Sequence, residues 1–259
     1  MNIALHPLLL LPFSVIILAL SAKVGALCRR RFWMKKPDAQ QDFSLVIGAT
    51  LTLLGLIIGF TFSMALTRYD LRKSYEEAEA NAIGTEYLRA DLLPGVDAAK
   101  VRALLLAYTD QRILSYTTDN EQQLLAVSDR TAALQADLWA AVRGPSLAQP
   151  NPVVALTVAG MNDVLNSQGY TQAAWWNRIP RAAWILMIVM AICANVLLGF
   201  GAGRSFSLWV MPVVVTIAFF LISDIDTPRR GIIRVVPQNL VSLSESLRGQ
   251  SNTPVTVIR

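Results

Sequence analysis

The chain is poor in the residues most chemistry needs. Its 259 residues include one histidine, His6, and two cysteines, Cys28 and Cys193. A lone histidine with no Cys, Asp or Glu close by in sequence offers no nucleophile–base pair and no metal-ligand spacing. Two cysteines, one ending an apolar block and one inside another, cannot form a disulfide framework or a zinc site, so both read as packing residues. No glycine-rich phosphate loop or nucleophile elbow appears. No enzyme, cofactor or metal centre is expected. Charge is scarce too, at 16% of residues, and is absent from Phe43 to Leu66.

What is present is apolar and segregated. Hydrophobic residues make up 54% of the chain and the mean hydropathy is +0.44, too high for an ordinary soluble domain. They gather into four blocks, Pro7–Leu27, Phe43–Leu66, Ala182–Ala202 and Ser205–Ser223, each long enough to cross about 30 Å of hydrocarbon. The first block carries no Lys or Arg before it, and Arg29, Arg30 and Arg31 follow it, so it reads as a retained helix and not a cleaved signal. Between the third and fourth blocks stand only Gly203 and Arg204, which makes them an antiparallel hairpin.

The net charge of +5 could suggest nucleic acid, but its placement excludes that. Residues 67–180 hold 10 basic and 13 acidic residues, net −3, while the remainder holds 13 and 5, net +8. The excess flanks the apolar blocks, where lipid headgroups lie. Six basic residues near helix ends fall on one side of the membrane and eight on the other, so the positive-inside rule decides no orientation.

Between the second and third blocks the sequence is helical. No proline interrupts Thr67–Leu92, so the second helix should continue out of the bilayer, roughly 75 Å in all. Leu93-Pro94-Gly95 breaks it; Asp97 reads as the N-cap of a helix carrying Val101, Leu104, Leu105 and Tyr108 to about Thr118. Another runs from about Asn120 to Val142, with Val127, Thr131, Leu134, Leu138 and Val142 on one stripe, stopped by Gly144 and Pro145. Val153–Gln168 reads as a weaker helix, and Gly169–Asn177 as a lead back to the membrane through an interfacial pair, Trp175 and Trp176. Pro212 predicts a kink in the last membrane helix. The tail beyond Asp224, with Pro228, Pro237 and Pro254, shows no long periodic run.

The expected fold is therefore all-α and integral to the membrane: four transmembrane helices in two pairs with an inserted extramembrane helical domain. The segments are 1–66, 67–180, 181–223 and a tail, 224–259.

On the second helix, Gly55, Gly59, Ser63 and Thr67 recur every four residues, a small-residue stripe that lets another helix approach closely, either within the chain or from a second subunit. Roughly 100° around lie Thr52, Leu56 and Phe60, which would form a hydrophobic constriction if several copies met there. Beyond the bilayer, Arg68 and Arg72 share a face, as do Asn81, Thr85 and Arg89, and such donors could attract anions. Arg72 with Glu76 and Lys73 with Glu77 also fit i, i+4 ion pairs. Asp224 and Asp226 follow the fourth helix, where the dipole opposes them; Arg229 and Arg230 or a bound cation would compensate. Asn195, inside the third membrane helix, calls for a hydrogen-bond partner on another helix.

Ile58-Gly59-Phe60, six residues, then Thr67-Arg68-Tyr69 resembles a signature of bestrophin channels, with Tyr69-Asp70 where those channels carry paired tryptophans. More closely, Gly55–Arg68, Glu79–Thr85, Tyr87–Pro94, Asn177-Arg178-Ile179-Pro180 and Asp224-Ile225-Asp226 resemble the bacterial bestrophin-like family across most of the chain. The resemblance implies a homo-oligomer of five subunits, with an axial pathway for inorganic anions such as chloride lined by the second helix. It also implies a multi-pass protein of the bacterial inner membrane with its helical domain and both termini in the cytoplasm. The rival is a non-conducting sensor or scaffold whose helical domain binds a partner protein.

Overall fold

The computed structural model describes residues 7–32, 37–202, 207–229 and 231–252. His6, Lys35, Lys36, Gly203, Arg204, Arg230 and Pro254 lie outside them. The described residues form eight α-helices and no strand: α1 (Pro7–Phe32), α2 (Pro37–Arg89), α3 (Gly95–Thr117), α4 (Glu121–Ala148), α5 (Pro152–Trp176), α6 (Arg181–Ala202), α7 (Ser207–Asp226) and α8 (Gln238–Asn252). One 3₁₀ turn, Ala90–Leu92, follows α2. Four of the helices are long and apolar enough to cross a membrane. They are α1, the charge-free first half of α2, α6 and α7, as the sequence predicts.

The chain divides into two compact units. Met1–Tyr69 with Arg178–Arg234 forms one; Asp70–Asn177 with Val235–Arg259 forms the other. In the first, Leu18, Leu54, Ala65, Met187, Ala191, Phe219 and Ile222 are buried together. Its closest helix crossing joins α1 to α6. A Cβ built on Gly25 would lie 1.9 Å from the Val196 carbonyl oxygen, and one on Gly199 would lie 1.9 Å from that of Ala22. Only glycine permits that backbone-to-backbone approach. At the end of the crossing, Arg29 donates to the Gly201 carbonyl at 2.9 Å, satisfying an open acceptor in the last turn of α6.

The second unit packs the latter half of α2 with α3, α4, α5 and α8. Val101, Leu105 and Tyr108 of α3, Leu134, Leu138 and Val142 of α4, and Met161 and Val164 of α5 fill its core, on the stripes the sequence predicts for α3 and α4. Asn120 and Asn151 cap α4 and α5, each side chain accepting two backbone N–H groups.

Several local expectations are corrected. The N-cap of α3 is Pro94, and Asp97 instead lies in the first turn, where its carboxylate still meets the positive end of the helix dipole. Gly144 and Pro145 do not stop α4, which continues to Ala148; Ala141, Val142 and Pro145 are all buried, and that burial offsets a proline cost of about 3 kcal/mol. Likewise α5 runs unbroken through Gly169, because Val164, Ser167, Thr171, Ala174 and Trp175 continue one buried stripe across it. The tail holds a 15-residue helix, α8, whose Leu240, Ser244 and Leu247 are buried. Cys28 and Cys193 are exposed on the chain's surface; both sit on membrane helices, whose outer faces are apolar and suit a small apolar thiol.

Candidate functional site

Helix α2 carries most of the residues that the sequence singles out, and its two halves differ. In the membrane half, Leu54, Thr61 and Ala65 are buried. At 100° per residue they share one face, and Thr52, Leu56 and Phe60 fall roughly opposite, about 160–240° around. Leu56 is 52% and Phe60 67% exposed. The Thr52 hydroxyl donates to the Gly48 carbonyl at 2.9 Å, so it presents its methyl outward. Ser63 is exposed, and no atom lies within 4 Å of a Cβ built on Gly55 or Gly59. The intrachain alternative for the small-residue stripe is therefore not realised among the described residues; α1 and α6 use Gly25 and Gly199 instead. Both stripes remain open on the same side of the helix.

Past Leu66 the buried side of α2 becomes charged. Arg68 is half-buried, with Nη2 3.6 Å from the Met64 sulfur. Arg72 is fully buried and donates to the carbonyls of Ala174 at 3.2 Å and Asn177 at 3.3 Å, the acceptors that α5 leaves open at its C-terminus. Glu76 does the opposite service for α8: its carboxylate accepts from the Leu240 backbone N–H at 2.9 Å and the Asn239 amide at 2.6 Å, in the first turn of that helix. Glu79 pairs with Arg112 of α3, whose Nη2 is 3.3 Å from Oε2. The same oxygen accepts from the Thr171 hydroxyl at 3.2 Å. Burial works to lower the Arg112 pKa, but the Glu79 charge, its hydrogen bond and the nearby Tyr108 and Tyr116 together outweigh it, and the guanidinium is held more firmly protonated. Burial, then the Glu79 charge, pushes the nearby Tyr108 and Tyr116 phenols up. Asn81 and Thr85 are exposed and Arg89 half-buried; the Arg89 carbonyl accepts from Thr157 at 3.2 Å.

The sequence reading gives Glu76 an i, i+4 partner in Arg72 and gives Glu79 and Glu86 no buried role. All three are buried. The signal was their spacing: Arg72, Glu76, Glu79, Ile83, Glu86 and Ala90 step by three or four, the period of one helix face.

Asp224 and Asp226 do not follow the fourth membrane helix but lie in the last turn of α7; both are buried, and backbone amides compensate them. Asp224 accepts from Ile232 and Ile233, both at 2.8 Å; a Cβ on Gly231 would meet the Asp224 carbonyl oxygen at 2.6 Å, so this turn requires its glycine. Asp226 accepts from the Ile179 N–H at 3.1 and 3.2 Å. Among the described residues no cluster of three His, Cys, Asp or Glu could hold a metal ion. Asn195 donates within its own helix, to the Ala191 carbonyl at 2.8 Å, and its Oδ1 has no partner, so the predicted interhelical bond is not formed. Trp175 packs edge-to-face on Tyr116, ring centroids 4.8 Å apart, and is not interfacial. Trp176 is 75% exposed.

The contact of Asp226 with Ile179 joins two of the short motifs noted in the sequence, and the bestrophin-like domain matches residues 15–240. The chain belongs to the bestrophin-like family. Its fold is similar to crystal structures of a bacterial bestrophin homologue from Klebsiella pneumoniae. One single-residue variant of that protein aligns with a TM-score of 0.69 at 13% identity, over 94% of this chain and 97% of that chain. A second aligns at 0.65 with 13% identity, over 96% and 100%. At these identities the likeness is one of fold. No curated protein matches the sequence. This bestrophin-like chain is a membrane protein of four apolar spans, and α2 is common to its membrane unit and its polar unit.

Proposed function

We propose that this protein is a homo-oligomeric channel of the bacterial inner membrane, five subunits around an axis, that passes inorganic anions such as chloride. The observation that carries the reading is the uncovered side of the membrane half of α2, where Thr52, Leu56 and Phe60 stand opposite the packed face, exposed among the described residues. Copies meeting there would ring the axis with one leucine and one phenylalanine per subunit, a constriction that gates by dewetting. Gly55, Gly59 and Ser63 would let the neighbouring α2 approach. Arg68, just beyond the span, and Arg89, at the end of α2, supply positive charge for anions. Arg72, closed in by the α5 carbonyls, serves the fold. The polar unit is cytoplasmic in this reading, as are both termini.

The test is reconstitution in liposomes under a chloride gradient, with currents recorded for the native protein and Phe60→Ala. Chloride current that rises in Phe60→Ala supports the reading; silence in both variants removes it. A charge-free span also suits an anchor, and the second unit exposes Val96, Leu125 and Leu147 at 86%, 68% and 70%. Silence in both variants would therefore favour a scaffold that binds a partner protein through that unit.

A further inference from the structure

Glu86 stands apart from the other buried carboxylates of α2. Glu76 and Glu79 each accept at least two hydrogen bonds. Both Glu86 oxygens are buried without any hydrogen-bond partner, and the residue is 0% exposed. A buried carboxylate in that state lacks what normally stabilises its charge, whereas a neutral acid tolerates it. Facing it on α5 is Gly160. A Cβ there would fall 2.1 Å from Glu86 Oε2 and 2.4 Å from Arg89 Nη1, so the glycine's bare Cα is what lets α5 close over the carboxyl group.

The charged neighbours are few. Arg89 lies on the same helix and Asp163 one turn further along α5. On α3, Arg102 is engaged with Asp91 and the Tyr87 carbonyl. Burial pushes the Glu86 carboxyl up to about 8, with Arg89 opposing and Asp163 adding to the rise. Glu86 lies some 20 residues, roughly 30 Å of helix, past the end of the membrane half, in the polar unit.

We infer that Glu86 is a proton-binding latch between α2 and α5: with its proton, α5 closes on Gly160; when the proton passes to solvent, the α2–α5 contact loosens around residues 157–164. This goes beyond the proposed conduction and does not depend on it. A group at about 8 when closed and near its ordinary 4.5 when opened to water makes the closed form weaken as pH rises between those values and level off above the higher one.

The experiment is hydrogen exchange on the full-length protein in detergent from pH 5 to 9, read as protection factors for α5 amides so that intrinsic exchange is divided out. Protection at 157–164 should fall by up to tenfold per pH unit up to about pH 8 and then stay level. Glu86→Gln should abolish that slope, with high protection throughout. Asp163→Asn, an exposed change, should move the upper end of the slope to lower pH. Native protein with no slope, or a Glu86→Gln variant that keeps it, overturns the inference. Infrared difference spectra check the proton directly: a protonated carboxyl band at neutral pH must be absent from Glu86→Gln, and its absence from the native protein also overturns the latch.

Discussion

The buried charges of α2 differ in what each has been given, and the difference sets what substitution does. Arg112 and Glu79 satisfy each other in a site closed to water. Removing one partner leaves the other charge stranded, which costs about 3–5 kcal/mol, whereas replacing both with apolar residues of similar size is close to neutral. Arg112→Met alone should sharply lower the thermal midpoint of the purified protein, and Arg112→Met with Glu79→Leu should restore much of it. Glu86 behaves in the opposite sense. Its pKa in the fold is above its unfolded value, so its contribution to stability is full below about pH 4.5 and is lost as pH rises to about 8. At pH 7 Glu86→Gln should therefore stabilise the polar unit, by up to about 3 kcal/mol at roughly 1.4 kcal/mol per pH unit. Denaturant midpoints should separate the two proteins at pH 7 and bring them together near pH 4.5. The sequence reading gives Glu79 and Glu86 no buried role, because the i, i+4 pairing of exposed charges and the burial of charges on a helix face use the same spacing. Only the neighbours on α3 and α5 distinguish the two cases.

At the scale of helices, glycine separates two kinds of contact. Gly25 and Gly199 touch backbone across the α1–α6 crossing, and Gly55 and Gly59 touch nothing. Gly199→Leu should force α1 and α6 apart, costing about 1–3 kcal/mol or more, seen as lost thermal stability in detergent. The GxxxG pattern drew attention to α2, yet the built crossing uses Gly25 and Gly199 against Val196 and Ala22, although Ser21 with Gly25 and Gly199 with Gly203 carry the same four-residue spacing in the sequence. Helix α8 was missed for a related reason. The prolines and polar residues of the tail suggest a loose segment, although Leu240, Leu243 and Leu247 already have helical spacing; Glu76, 164 positions away from Leu240 in the chain, holds the first turn of α8, and Asp110 accepts from Ser244 and Arg248 further along it. Glu76→Ala would leave two donors of that first turn unmet, at about 1–3 kcal/mol. Proteolysis should then cut within Gln238–Asn252 while α3, α4 and α5 stay resistant. The four spans, by contrast, were legible from sequence, because a bilayer imposes long uncharged runs that composition alone displays.

For the molecule as a whole, one side of the membrane half of α2 is left uncovered among the described residues, and assembly would explain it. A Cβ on Gly59 meets no atom within 4 Å outside its own helix backbone among the described residues. Gly59→Leu should therefore leave the fold of a single subunit intact, with unchanged helix content by circular dichroism. If a second α2 seats against the stripe, the added side chain pushes it away, because close approach of two membrane helices depends on small residues. Light scattering of the detergent-solubilised variant should then report a smaller mass than the native assembly. A Gly59→Leu protein with unaltered mass would assign that stripe to lipid or to a water-filled path, and would remove helix-on-helix contact at Gly55, Gly59 and Ser63 from the account of assembly.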